Sequence, residues 1–287
     1  VSFLNRDELI KEIERGRAEH AARDAQMKGP PADVRLGPLT LAVLNSARWK
    51  EQDQYPAFQV YADECETLLE FSRGQGQFDR YFGDLTASIR QRNAALAELR
   101  VACHLEQNGF EIVEWKPVGQ APKEGEFLIL GSSGVKTFVE VKGPSWQSEL
   151  SDEEIKAGRT KQPKHLYLEG RAIAPWEAIQ FAVGKAYEKF APDTSNLLVI
   201  ADDLFVGLQH GTEMMAWMAL YEKHYQGRFT VPDYEKLGGA GVFWMEPSGD
   251  QVRYEMKLFL NPFALAAPLP DDLVEAFNGQ VLTSPVR

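Results

Sequence analysis

Four side chains in this sequence, Glu98, Glu126, Glu140 and Lys142, have the types and spacing that metal-assisted hydrolysis requires. Glu140 and Lys142 stand two apart in Phe138-Val139-Glu140-Val141-Lys142. Strand side chains alternate between faces, so the acid and the lysine share one face while Val139 and Val141 share the other. Gly131-Ser132-Ser133-Gly134 separates that segment from Glu126-Phe127-Leu128-Ile129-Leu130, a pattern that predicts a hairpin. Folding near Ser133 brings Glu126 opposite Glu140, or nearly so, and puts Phe127 and Ile129 on the side of the two valines. Like charges facing each other across a hairpin repel. A divalent cation between them turns that repulsion into affinity, and Mg²⁺ typically takes about one or two carboxylates plus water and phosphate oxygens. Lys142 is then a cation beside the site, suited to orient or help deprotonate a water, or to stabilise charge on a phosphate. Glu98 adds a third acid. Its helical stripe holds Ala94, Ala95, Val101, Ala102 and Leu105, so it faces the interior, where an unpartnered carboxylate is costly.

The elements that must position these groups follow from the pattern of apolar residues. Residues 1 to about 28 read as a charged helix with a narrow stripe of Leu9, Ile10 and Ile13, closed by Gly29-Pro30-Pro31. Further helices are expected over 36–47, with Pro38 in the first turn, and over 57–72, broken by Gly74-Gln75-Gly76. Residues 1–84 therefore form an N-terminal helical region. A long helix is expected from Leu85 to Gln107, with Asp84 as its cap and Asn108-Gly109 as its stop. Strands follow at Phe110–Trp115, Glu126–Leu130 and Thr137–Lys142, then a polar stretch, then a helix over Pro175–Phe190. Asn196–Ala201 is a nearly continuous apolar run, as in a buried central strand, and Thr212–Tyr225 is helical. Gly241–Met245 and Val252–Phe259 flank Pro247-Ser248-Gly249-Asp250, which reads as a hairpin turn, and a short helix is expected near Asp271–Phe277. The order is that of a mixed α/β fold with helices packed on a sheet.

The composition fits a globular chain of 287 residues, 44% hydrophobic and 25% charged. Two cysteines make no disulfide framework, no apolar run reaches the length of a spanning helix, and the start lacks the pattern of a signal peptide. A soluble, cytoplasmic protein with no membrane contact is expected. The net charge is −11, which weighs against nucleic acid as a partner, since phosphate contacts come from Lys and Arg. The balance reverses locally. Between Lys156 and Lys189 seven basic residues face three acidic ones, a surplus of four. The five histidines show no metal-ligand spacing, and neither a Gly-rich phosphate loop nor Gly-x-Ser-x-Gly occurs.

Glu98, Gly125-Glu126-Phe127-Leu128-Ile129 and Phe138-Val139-Glu140-Val141-Lys142-Gly143 together resemble the core of the PD-(D/E)XK, or restriction-endonuclease-like, nucleases. The resemblance covers roughly 85–203 and implies an αβββαβ core within a domain of residues 85–287. It implies Mg²⁺, with Mn²⁺ as a substitute, and hydrolysis of phosphodiesters by an activated water. Glu126, Glu140, the Val141 carbonyl and Glu98 would hold the metal or its water, and Lys142 would be the catalytic lysine. Gln180 and Lys185 lie on what resembles the family's later core helix, which would contribute polar residues to the site. The usual Pro-Asp is Gly125-Glu126 here, and Glu124 is a rival ligand. Arg159, Lys161, Lys164 and Arg171 are placed to line a phosphate track, equally well read as a solvated loop. The function expected is a metal-dependent nuclease acting on DNA in defence or repair, and cutting both duplex strands would favour a homodimer. The alternative is a non-catalytic protein binding nucleic acid or a partner on a nuclease-like fold.

Overall fold

The computed structural model describes residues 34–48, 59–120, 123–143, 175–201, 209–248, 250–279 and 281. The expected helix over residues 1–28 lies outside them, as do Arg159, Lys161, Lys164 and Arg171. The chain separates into two compact units, Val1–Arg92 with Gly249–Val252, and Asn93–Ser248 with Arg253–Arg287.

The first unit is helical, with α1 (Pro38–Ser46), α2 (Gln59–Gly74), α3 (Phe78–Ala87) and the first turn of α4 (Ile89–Gln107). Its core is built from Val43, Ala62, Cys65, Leu68, Leu69, Tyr81 and Leu85. The orphan N–H groups at the start of α1 are served from α2, since the Glu66 carboxylate accepts from the Leu39 and Thr40 amides at 3.1 and 2.8 Å. The single helix expected from Leu85 is two. Asp84 lies inside α3, and the chain turns extended at Ser88 before α4 begins. The Ser88 hydroxyl accepts from the Gln91 amide at 3.2 Å and donates to the Gln91 side chain at 3.0 Å. The Ser88 hydroxyl thus caps α4 and starts a helix where apolar periodicity alone runs on.

The second unit is a mixed α/β fold. Its six strands are β1 (Glu111–Trp115), β2 (Phe127–Leu130), β3 (Lys136–Lys142), β4 (Ser195–Ala201), β5 (Gly239–Ser248) and β6 (Gln251–Leu260), in that order across one sheet. Strands β1, β2 and β3 form an antiparallel meander, whereas β3, β4 and β5 run parallel. The crossover from β3 to β4 carries α5 (Pro175–Tyr187), and α6 (Gln209–Leu220) lies between β4 and β5. Pro247 and Ser248 belong to strand β5, so the turn to β6 is shorter than the sequence suggested. From α4 the element order is helix, three strands, helix, strand, the αβββαβ order expected from the sequence.

Helices α5 and α6 cover one face of the sheet. Phe138, Leu198, Ile200 and Val242 share one face and form a core with Ile179, Val183, Ala186 and Phe190 of α5 and its end, and with Ala216, Ala219 and Leu220 of α6. Val141, Val199 and Phe243 have the opposite parity and point the other way. There the His104 ring of α4 meets the Phe243 ring at 5.7 Å. Strand β4 is buried along its whole length, the burial a central parallel strand requires. Among the described residues, no helix is long and apolar enough to cross a membrane.

Candidate active site

The candidate site forms at the open end of the β2–β3 hairpin. Phe127 pairs with Val139, and one step further the Glu126 N–H donates to the Val139 carbonyl at 3.0 Å. Glu126 therefore enters β2 beside Glu140. Glu140 and Lys142 lie on one face, and the Lys142 ammonium is ion-paired to the Glu140 Oε1 atom. Val141 sits between them, in register with Val199 of β4.

Glu140 is completely buried, and Glu126 is only 6% exposed. Taking a carboxylate out of water costs several kcal/mol unless cations and donors replace the lost hydration. Two lysines do so here. Besides Lys142, Lys189 places its Nζ 2.6 Å from Glu140 Oε1. Lys189 follows α5 and is held by its backbone, because the Gln120 N–H donates to the Lys189 carbonyl at 2.9 Å. The two ammonium groups converge on one oxygen. Both carboxylate oxygens are buried, and neither has a hydrogen-bond partner among the described residues.

The second half of the cluster centres on Lys116. It follows β1 with a left-handed backbone, φ 54°, and its N–H donates to the Glu126 carbonyl at 2.9 Å. Its ammonium is ion-paired to Glu126 and lies 3.7 Å from Glu98 of α4. Three carboxylates are thus matched by three ammonium groups. Among the described residues, no three His, Cys, Asp or Glu side chains gather closely enough to hold a metal ion between them. The donor chemistry nevertheless suits a hard cation. Glu126 and Glu140 stand side by side on neighbouring strands, and the buried Glu140 oxygens, without a hydrogen-bond partner among the described residues, are acceptors that a divalent ion would satisfy.

The glycine of Gly125-Glu126 has a steric cause. A Cβ at Gly125 would lie 2.3 Å from the Phe138 ring, which itself packs edge-on against Phe190 at 5.9 Å. The Gly125 N–H also donates to the Pro117 carbonyl at 2.9 Å, a bond that proline could not make. The rival acid Glu124 is exposed and bridges to Val118 outside the strands.

Of the other residues singled out in the sequence, Gln180 is engaged elsewhere. Its amide nitrogen donates to the Tyr225 and Ala219 carbonyls at 2.7 and 3.3 Å, tying α5 to the end of α6. Lys185 lies over the Phe181 ring at 4.2 Å. Sequence reasoning passed over Lys116, and it counted Lys189 in the basic stretch without giving it a place. Nothing local marks either lysine, because their partners are set by how β1 and α5 dock.

No protein-family model and no curated protein sequence matches the chain. Among solved structures it is similar to that of Pyrococcus furiosus SfsA in complex with Ca²⁺, at 13% sequence identity, over 57% of this chain and 62% of that one, with a TM-score of 0.25. The match spans less than two thirds of that protein's length.

Proposed function

We propose that the chain is a metal-dependent nuclease that hydrolyses phosphodiester bonds, with DNA as its substrate. The observation that carries this reading is the buried Glu140 carboxylate. Its Oε1 is ion-paired to Lys142 and Lys189, and neither oxygen has a hydrogen-bond partner among the described residues. Burying an acid so completely is costly, and a ligand that needs a desolvated anion justifies that cost. In this reading Glu126, Glu140 and the Val141 carbonyl hold Mg²⁺ or Mn²⁺. When bound, the ion supplies Lewis-acid activation of water and charge neutralisation at the phosphate. Lys189 keeps Glu140 Oε1 engaged, so Oε2 is the oxygen free to ligate. Lys142, about 30% exposed at the rim, orients the attacking water or stabilises negative charge on the phosphate. Glu98, on the neighbouring helix, orients that water from the other side. Arg159, Lys161, Lys164 and Arg171 would add contacts to the phosphate backbone, as would a second copy of the chain on duplex DNA.

The test is cleavage of circular duplex DNA, single-stranded DNA and RNA by wild-type and Lys142→Ala protein, with Mg²⁺, with Mn²⁺ and with EDTA. Metal-dependent cleavage that falls at least about a hundredfold in the variant is expected, the scale of losing one electrostatic group at a reacting centre. Cleavage that survives EDTA, or survives the substitution, would overturn the assignment.

One observation favours a second reading. Every acid of the cluster already has a lysine, and no three-ligand set exists among the described residues. A non-catalytic protein that binds nucleic acid or a partner could keep such a network for stability. Calorimetric titration with Mg²⁺ and Mn²⁺ separates the two readings, since only the nuclease reading requires binding by millimolar metal.

A further inference from the structure

We propose that Lys189 is the positioning residue of this site: it is the standing counterion of Glu140, and it thereby releases Lys142 to carry its charge to the phosphate. The proposal rests on the nuclease reading and adds why Glu140 has two lysines. One acid needs one cation to match it. Glu140 with Lys142 and Lys189 carries a formal surplus of one positive charge, gathered around a fully buried carboxylate. Two ammonium groups drawn to one oxygen repel each other, so the second is costly to hold unless another anion comes to the site. Among the described residues, neither lysine has a second acid, and Glu98 and Glu126 are paired to Lys116 instead. A phosphodiester carries one negative charge, which matches the surplus. The backbone decides which lysine stays. The Lys189 N–H donates to the Ala186 carbonyl at 2.9 Å, and its carbonyl accepts from the Gln120 N–H at 2.9 Å. Gly119 packs so closely there that a Cβ would collide with the Lys189 carbonyl. The preceding Glu188 is ion-paired to Lys123 of the same loop. Lys189 thus reaches Glu140 from a segment tied on both sides, and its side chain is 20% exposed. Lys142 is the last residue of β3, and its side chain is 30% exposed. Its aliphatic stem can turn the ammonium outward while Lys189 keeps Glu140 matched. Without Lys189, the same movement would leave a buried carboxylate unmatched, which is costly.

The experiment is competitive labelling of the metal-free full chain with isotope-coded acetic anhydride, read by peptide mass spectrometry, alongside cleavage kinetics. In the wild-type protein Lys142 should label several-fold faster than Lys189. In Lys189→Met, Lys142 becomes the sole counterion, so its labelling should slow several-fold. Local unfolding would speed that labelling, so the sign separates positioning from damage. With Mg²⁺, kcat of Lys189→Met should fall roughly tenfold at little-changed KM, the scale of one charged hydrogen bond. Lys189→Arg keeps a cation in place and should restore most of both; a fall that arginine leaves untouched assigns Lys189 to packing and overturns the proposal. Lys189 labelling as fast as Lys142 in the wild type, a result that needs no variant to fold, overturns it too. So does unslowed labelling of Lys142 or an unchanged kcat in Lys189→Met, while metal-dependent cleavage by the wild type leaves the nuclease reading standing. No cleavage of DNA or RNA by the wild type with either metal overturns the nuclease reading and the role of Lys189 together.

Discussion

Two ionisable groups are buried on opposite sides of the same sheet, and they meet the cost of burial in opposite ways. Glu140, on the face covered by α5 and α6, gathers Lys142 and Lys189 around one oxygen. His104, on α4, imports no charge. Its ring lies among Phe243, Tyr254 and Phe277 at 5.4–6.1 Å, its Nδ1 faces the Asn108 amide at 3.4 Å, and its Nε2 has no hydrogen-bond partner among the described residues. Burial pushes its pKa down to about 4, so it is neutral at physiological pH. A histidine can shed its charge at modest cost, whereas a carboxylate near neutral pH must be neutralised or matched. A protein that needs only a space-filling aromatic ring has no reason to assemble two lysines. The matched acid is where function is to be sought, and the neutral histidine is packing.

This contrast can be broken experimentally, and the largest effect should come from Glu140. Glu140→Gln should reduce cleavage by about a thousandfold or more. It should also cost about 2–3 kcal/mol in a urea melt, less than a fully buried pair would cost, because Lys142 and Lys189 can turn to water once unpaired. Full stability in that variant would mean that Glu140 is not held by charge.

The histidine should show itself through pH. Its folded pKa lies below its unfolded value of 6.5, so the unfolded chain takes up its proton first as pH falls. Stability should therefore drop by roughly 2 kcal/mol between pH 7 and 4.5 and level off below the folded pKa of about 4. His104→Phe should remove that dip while changing neutral-pH stability by less than about 1 kcal/mol. A dip that survives the substitution would assign it to another group. Asp272 is not that group. Desolvation would raise its pKa, but bonds from the Ser133 and Leu273 amides and the Ser133 and Ser132 hydroxyls outweigh this and hold it below the usual range. Its contribution is present above the usual carboxylate range and is lost only at still lower pH.

The smallest effect should come from Lys189→Met, at about 1 kcal/mol, because Lys142 still matches Glu140. Cleavage should fall less than in Lys142→Ala. An equal fall would make Lys189 the functional equal of Lys142.

How far the sequence carried the argument follows from the range of each signal. Strand alternation placed Glu140 and Lys142 on one face, and the glycine-rich turn brought Glu126 beside Glu140, since both depend on neighbouring residues. The αβββαβ order was legible for the same reason. The break at Ser88 was written in Ser88-x-x-Gln91 but masked by apolar residues running through it. Lys116 and Lys189 were not legible, because each reaches acids on other elements. Gln180 shows the converse. Its place on α5 suggested a role at the acids, but it turns instead to the carbonyls at the end of α6.

Gly125 and Phe138 constrain each other. With Phe138 present, a proline at 125 collides with the ring and loses the bond to Pro117, so that change alone should be harmful. With a small residue at 138, the collision disappears but a hole opens against Phe190. A small residue at 138 would relieve the collision but not restore the lost bond to Pro117, so the two changes should not simply add.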